Sequence, residues 1–173
     1  MASEKNPAWR EGVLQQEPIN VVILGFHHKH LLLGLYDDEN DTFITCGTLF
    51  RCLSAQELEK IKKHLIDYPH GSERVGNVTY LSCHTQYKDW VYVQPRLVGQ
   101  VCCSKIGLLA RWEPVVSAYI NNAGVSLSDA IFSIKSLRKD LELVTPMSKI
   151  IRRIEDRTEP NPLEIKNFWE VSE

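Results

Sequence analysis

The sequence predicts a mainly β fold, with one helix inserted among five to six short strands and a second helix near the C-terminal end. Short apolar runs rich in β-branched residues recur between polar turns, which is typical of buried strands. Two other segments repeat their apolar residues at helical spacing. The chain has 173 residues, 43% hydrophobic and 24% charged, so we expect one globular domain.

Three strands are expected at the start of the domain. Residues 21–25 and 31–36 are apolar runs, and a third strand is expected over 42–46. The acidic stretch 37–41 separates the second run from the third. Because two strands joined by a short polar link form a hairpin, this stretch is predicted to be the turn.

The inserted helix has the clearest start signal. Ser54 is followed three residues later by Glu57, the spacing of a capping box in which each side chain binds the backbone of the other residue. The apolar residues after it recur on one helical face, and they are Leu58, Ile61, Leu65 and Ile66.

The second half of the chain predicts further strands and the C-terminal helix. Strands are expected over 78–81, 90–93, 97–103, 124–127 and 130–135, with a short helix over 113–120. Thr145 and Pro146 favour the start of a helix over 147–157, because Thr is a good N-cap and Pro tolerates the first helical position.

This order of elements suits a small Greek-key barrel of the OB type. The predicted divisions are a polar leader over 1–17, the barrel over 18–143, the C-terminal helix over 144–158 and a flexible tail over 159–173.

Five short segments resemble, in order, segments of one known domain. They are Ile19-Asn20-Val21-Val22-Ile23-Leu24-Gly25, Leu32-Leu33-Gly34-Leu35-Tyr36-Asp37, Cys46-Gly47-Thr48 followed by Phe50, Val91-Tyr92-Val93-Gln94-Pro95 and Gly124-Val125-Ser126-Leu127. Together they resemble the OB-fold domain of ATP-dependent DNA ligases, over roughly 19–147. In ligases this domain closes onto the minor groove opposite the nick. The resemblance implies a role in DNA repair or replication, with DNA as a partner.

The departures from the ligase pattern imply a degenerate, non-catalytic copy. Ligases attack ATP with the lysine of a Lys-x-Asp-Gly motif, which this sequence lacks, and residues 1–18 are too few for an adenylation domain. In place of the arginines of the last nucleotidyltransferase motif stand Ser128-Asp129-Ala130-Ile131, and only Lys139 keeps its type. The guanidinium groups that would clamp pyrophosphate are therefore missing. We expect no catalytic residue, no cofactor and no metal ligand.

A basic segment near the C-terminal end is the candidate nucleic-acid contact. Between residues 133 and 157 seven basic residues stand against four acidic ones, whereas the whole chain carries −2. The candidates are Lys135, Arg138, Lys139, Lys149, Arg152 and Arg153. Rings for stacking could come from Tyr80, Tyr87, Trp90 and Tyr92, of which Trp90 and Tyr92 share one sheet face and could be core instead. The alternative is a solvated charged helix.

The tail contains a candidate docking motif. Ile165 stands three residues before the aromatic pair Phe168 and Trp169, the spacing of short peptides that dock on sliding clamps. The alternatives are packing onto the domain or docking to another partner. This motif carries the second functional hypothesis, a protein–protein adaptor that docks a repair or replication protein. A third hypothesis is one component of a split ligase.

The remaining features bear on location and metals. The sequence has no secretory apolar core and no run long enough to cross a membrane, so a nuclear or cytoplasmic protein is expected. The five cysteines favour reduced thiols. The segment 27–30, His-His-Lys-His, is interpreted as a polar turn, with a metal site completed by Cys83 or His84 as the alternative.

Overall fold

The computed structural model describes residues 18–50, 54–86, 89–103, 105–114, 117–128 and 130–157, and it confirms a mainly β, OB-type fold. This part of the chain contains ten strands and two α-helices. They are β1 (Ile19–Phe26), β2 (His30–Asp37), β3 (Thr42–Phe50), α1 (Ala55–Leu65), β4 (His70–Gly71), β5 (Val78–Thr79), β6 (Val91–Val93), β7 (Val98–Cys102), β8 (Lys105–Glu113), β9 (Ala118–Ser128), β10 (Ile131–Arg138), a 3₁₀ turn (Leu141–Leu143) and α2 (Met147–Arg157). Neither α-helix has the length and apolar character of a membrane span.

The strands form a curled sheet and a separate hairpin. The sheet runs in the order β10-β7-β1-β2-β3-β5, and β6 joins it by pairing with both β1 and β4. Its pairs are antiparallel except for β3 with β5. The hairpin β8–β9 packs against β3, where a Cβ atom on Gly47 would lie 2.8 Å from the carbonyl oxygen of Leu127. The two backbones are therefore close enough to need a glycine.

His84 also links β3 to β9. Its Nδ1 lies 3.1 Å from Oγ1 of Thr45, and its Nε2 lies 3.1 Å from Oγ of Ser126. The same Thr45 hydroxyl accepts a hydrogen bond of 2.9 Å from the backbone N–H of Leu81. His84 is 5% exposed, and this burial lowers its pKa to about 4. A hydrogen bond to the Thr45 backbone has the smaller, opposite effect of raising the pKa.

The helix predicted over 113–120 is wrong. Glu113 ends β8 and Ala118 begins β9, and the two residues are cross-strand partners at the closed end of the hairpin. Pro114 has no N–H to continue a ladder, and Ser117 has a φ of 53°, so both residues suit a turn. The flanking residues are rich in β-branched and aromatic types, which fit the strands.

Helix α1 has the start that the sequence predicts. The backbone N–H of Glu57 donates to Oγ of Ser54 at 3.1 Å, and the N–H of Ser54 donates to Oε1 of Glu57 at 3.0 Å. The buried face consists of Leu58, Ile61 and Leu65. Ile66 was expected on this face but is 53% exposed, because the helix ends at Leu65.

Helix α2 begins at Met147, as predicted. The side chain that binds its N-terminal turn, however, is that of Asp38, more than a hundred residues earlier in the chain. The backbone N–H of Ser148 donates to Oδ1 of Asp38 at 3.3 Å, and the Ser148 hydroxyl donates to the same carboxylate. The Thr145 hydroxyl, predicted to cap the helix, accepts from the backbone N–H of Asn20 at 3.0 Å. The turn between β2 and β3 therefore supports the N-terminus of α2.

Apolar side chains pack on both faces of the sheet. Val21 and Ile23 of β1 belong to the main core under the helices, whereas Val22 and Leu24 belong to a second cluster on the opposite side, which we call the outer face. The buried members of the outer face are Val22, Leu24, Leu32, Trp90, Tyr92, Val98 and Val144. Its partly buried members are Tyr36, Phe43, Val78, Tyr80 and Leu141.

Candidate nucleic-acid interface

The predicted basic residues lie on two separate elements. Lys135 and Arg138 belong to β10 and Lys139 follows it, whereas Lys149, Arg152 and Arg153 belong to α2. Strand β10 is at the end of the sheet beyond β7, and α2 contacts β2 and β9. Arg138 and Lys139 are exposed at the end of β10. Both elements therefore present positive charge to solvent.

Three of the four basic residues of α2 lie on neighbouring positions of the helix surface. Arg152 and Arg153 are three and four residues after Lys149, so all three project from one side. Lys149 and Arg152 are exposed. Arg153 is half-buried, and its Nη1 atom is buried. Lys149 and Arg152 are therefore the more accessible cations.

The charge of Arg152 is partly compensated by Asp38. The pKa of Asp38 is held below its usual value first by the hydrogen bond from the Ser148 hydroxyl, with further help from the Ser148 N–H and from the positive charge of Arg152. Partial burial acts in the opposite direction. The carboxylate is consequently ionised at neutral pH and offsets part of the field of Arg152.

Lys149 lines a groove at the edge of the outer face, which we call the first groove. Its walls are Asn20, Tyr36, Phe43, the segment 141–146 and Lys149, and its volume is about 570 Å³. Two hydrogen bonds fix the segment to β1: Nδ2 of Asn20 donates to the carbonyl of Leu143 at 2.9 Å, and the N–H of Thr145 donates to the carbonyl of Asn20 at 2.9 Å. The wall of the groove is therefore held in place by the sheet.

Two aromatic rings lie in the first groove beside the lysine. Tyr36 of β2 and Phe43 of β3 are cross-strand partners whose ring centroids are 6.0 Å apart at an interplanar angle of 65°. Both rings are partly exposed. The Tyr36 hydroxyl donates to Oδ1 of Asp41 at 2.5 Å, and this hydrogen bond raises the pKa of Tyr36. A cation beside partly exposed rings can bind a phosphate together with a stacked base.

The aromatic side chains that the sequence suggested for base stacking are buried or half-buried where the structure describes them. Trp90 is 4% exposed and Tyr92 is 8% exposed, so both belong mainly to the packed outer face. Tyr80 is half-buried, and Tyr87 lies outside the described residues. The open expectation that Trp90 and Tyr92 could be core residues is confirmed.

Sequence reasoning found Lys149 but missed Tyr36 and Phe43. The two rings flank the acidic turn 37–41, and the register of the hairpin makes them partners across the strands. The alternation in β2 places Leu33 and Leu35 in the main core, which leaves Tyr36 for the outer face. A register argument on this hairpin is therefore the signal that could have found the pair.

The tail motif Ile165, Phe168 and Trp169 lies outside the described residues, and the clamp-docking hypothesis stays a prediction. The histidine segment 27–30 behaves as a polar turn at its centre, where Nζ of Lys62 donates to the carbonyl of His28 at 3.2 Å. Across the described ranges, no group of three or more His, Cys, Asp or Glu side chains is placed to hold a metal ion. His84, suggested as a partner of this segment, contacts Thr45 and Ser126.

Comparison with known proteins returns DNA ligases among solved structures. No family model and no curated protein matches the chain. The structure is similar to the ligase domain of M. tuberculosis LigD, with a TM-score of 0.49 and 25% identity over 72% of this chain and 34% of that one. It is also similar to a mycobacterial DNA ligase D complexed with ATP and MES, with a TM-score of 0.47 and 25% identity over 72% of this chain and 35% of that one. The chain spans about a third of the length of both.

Proposed function

We propose that this protein is a non-catalytic, ligase-like OB-fold factor that binds DNA in repair or replication, in the nucleus or the cytoplasm. The observation that carries the proposal is the first groove, in which exposed Lys149 stands beside the partly exposed rings of Tyr36 and Phe43. Phosphate-binding charge beside stacking rings is the combination that OB folds use for nucleic acids.

The non-catalytic part of the proposal rests on the chemistry of the last nucleotidyltransferase motif. Ala130, in the stretch that replaces the clamping arginines, is buried, and Ile131 is 63% exposed. Neither side chain can form hydrogen bonds to a phosphate oxygen.

The binding is expected to be weak and sensitive to salt. The accessible cations of the predicted basic segment are Arg138, Lys139, Lys149 and Arg152, whereas the turn at 38–41 exposes acidic side chains near α2. Each neutralised phosphate releases counterions, so a small number of contacts gives modest affinity that falls as salt rises. The acidic turn repels the DNA backbone and therefore weakens the attraction of the cations on α2.

A fluorescence anisotropy titration with labelled DNA at low salt tests the proposal. The combined variant Lys139→Glu, Lys149→Glu and Arg152→Glu should lose at least about tenfold in affinity, because each reversed contact changes the phosphate interaction by two charges. The matched control reverses exposed cations elsewhere, with Lys60→Glu, Lys63→Glu and Arg96→Glu. Equal affinity of the two triple variants would reject this basic surface.

The adaptor hypothesis is the second candidate, and the spacing of Ile165, Phe168 and Trp169 is the observation that favours it. Partners would be a repair or replication protein, including a sliding clamp. Deleting residues 159–173 separates the two functions, because an adaptor loses its protein partner whereas the DNA binder keeps its affinity for DNA. A pull-down from nuclear extract with and without nuclease provides the measurement.

A further inference from the structure

A second groove lies at the other end of the outer face. It has a volume of about 490 Å³ and is lined by the segment 69–76 together with Tyr92 and Gln94. Within it, Cζ of Arg74 lies 5.2 Å from the ring centroid of Tyr80 and 5.9 Å from that of Tyr92. The backbone N–H of Val75 donates to the Tyr80 hydroxyl at 3.1 Å, which ties the Arg74 loop to the same ring.

The two tyrosines hold Arg74 in a restricted position. Their ring centroids are 5.0 Å apart in an edge-to-face arrangement, so the guanidinium is close to both rings. A cation placed over aromatic rings loses less freedom when it binds an anion, and its N–H groups still form hydrogen bonds to phosphate oxygens. Arg74 therefore has a preorganised charge although it is exposed.

A continuous row of side chains connects the two grooves. Tyr36 pairs with Phe43 across β2 and β3, and Phe43 pairs with Val78 across β3 and β5. Val78 and Tyr80 belong to the same outer-face cluster, and Tyr80 contacts Tyr92 in the second groove. All the members before Tyr92 are partly exposed. The row therefore carries one cation at each end and partly exposed rings between them.

We propose that single-stranded nucleic acid binds along this row, with phosphates at Lys149 and Arg74 and bases against Tyr36, Phe43 and Val78. The inference rests on the proposed nucleic-acid function and names its substrate class. Stacking requires bases that are free of a complementary strand. A duplex would bring more phosphate charge close to Glu142 in the first groove and Glu73 in the second, and each of these carboxylates opposes the single cation beside it.

The test compares a labelled oligothymidylate of twelve nucleotides with a twelve-base-pair duplex by anisotropy in the same buffer. The single strand should bind at least about fivefold tighter, the lower end of what one stacked base contributes. Its affinity should fall with a log–log salt slope of about −1.4, as expected for two phosphate contacts on a single strand. A steeper slope and tighter binding of the duplex would overturn the proposal.

Matched variants locate the site. Arg74→Gln should weaken binding of the single strand at least about tenfold, as for a lost hydrogen bond to a charged group, whereas Arg96→Gln removes an exposed arginine elsewhere and should leave binding unchanged. Phe43→Leu should also weaken it about fivefold, because one stacked ring is lost. Phe26→Leu is the control, since Phe26 packs against the main core. Thermal melts establish that each variant is folded.

The outcomes separate this inference from the function on which it rests. If the protein binds duplex DNA through the cations of α2 and Arg74→Gln has no effect, the proposed DNA binding is supported. The proposed binding of a single strand along the row is then refuted. A protein that binds neither probe overturns both. Loss of affinity in Arg74→Gln and Phe43→Leu but in neither control supports the path.

Discussion

Acidification should weaken the fold through His84. In the native state the pKa of this imidazole is about 4, whereas its ordinary value is 6.5. Between these values the unfolded chain binds a proton that the folded chain excludes, so stability is complete above pH 6.5 and falls as the pH decreases towards 4. The stability lost through protonation of His84 is about 2 kcal/mol between pH 7.5 and pH 5, and it approaches about 3 kcal/mol below pH 4.

Urea denaturation followed by tryptophan fluorescence measures this loss, because Trp90 is buried in the folded domain. With an ordinary urea dependence, 2 kcal/mol shifts the midpoint by about 1 M. His84→Gln cannot gain a proton and should show a flatter dependence between pH 7.5 and 5. It should also lose about 1–3 kcal/mol at pH 7.5, because the hydroxyl of buried Thr45 or of half-buried Ser126 loses its hydrogen bond to the imidazole.

A second variant separates burial from hydrogen bonding. Ser126→Ala removes the partner of Nε2 but leaves His84 in place, so it should lower stability while keeping the pH dependence of the wild type. Burial is the largest cause of the lowered pKa, which is why this dependence should survive. If His84→Gln and the wild type lose the same stability between pH 7.5 and 5, the imidazole does not carry the linkage and the reasoning fails.

Two further predictions concern single contacts of the fold. Asp38→Ala should lower the free energy of unfolding by about 1 kcal/mol, as for a lost helix cap, with urea denaturation at pH 7 as the measurement; an unchanged midpoint would show that α2 does not depend on this carboxylate. Gly47→Ala should cost about 1–3 kcal/mol, because the added methyl meets the Leu127 carbonyl 2.8 Å away. Gly76→Ala, where a Cβ meets nothing within 4 Å, is its control, and equal stability of the two variants would contradict the close approach of β3 and β9.

Local signals in the sequence predicted much of the fold. The hairpin strands β1 to β3 and the capping box of Ser54 and Glu57 depend on residues that are near one another in the chain, and all of these features are confirmed. The prediction of a helix over 113–120 was wrong because a run of apolar residues on either side of a short turn suits both a helix and a hairpin. Only the pairing of β8 with β9 decides between them.

The candidate site could be predicted only in part. Lys149 stood out by charge, but its groove is completed by Tyr36 and Phe43, which are about a hundred residues earlier in the chain. No pattern in the sequence pointed to Arg74 as a binding residue, because its position over Tyr80 and Tyr92 depends on the path of the loop after β4. Short-range spacing cannot bring together residues that only the tertiary fold makes neighbours.

The tie between Asn20 and Thr145 has a consequence for biosynthesis. The two residues are 125 positions apart, yet the N–H and the carbonyl of Asn20 both form hydrogen bonds with Thr145 at the start of β1. During translation the N-terminal strand emerges long before this partner, and its amide must remain hydrated until the end of the domain leaves the ribosome. Assembly of the barrel is therefore completed after synthesis of the whole domain, and a nascent chain stalled before residue 145 should stay sensitive to proteases.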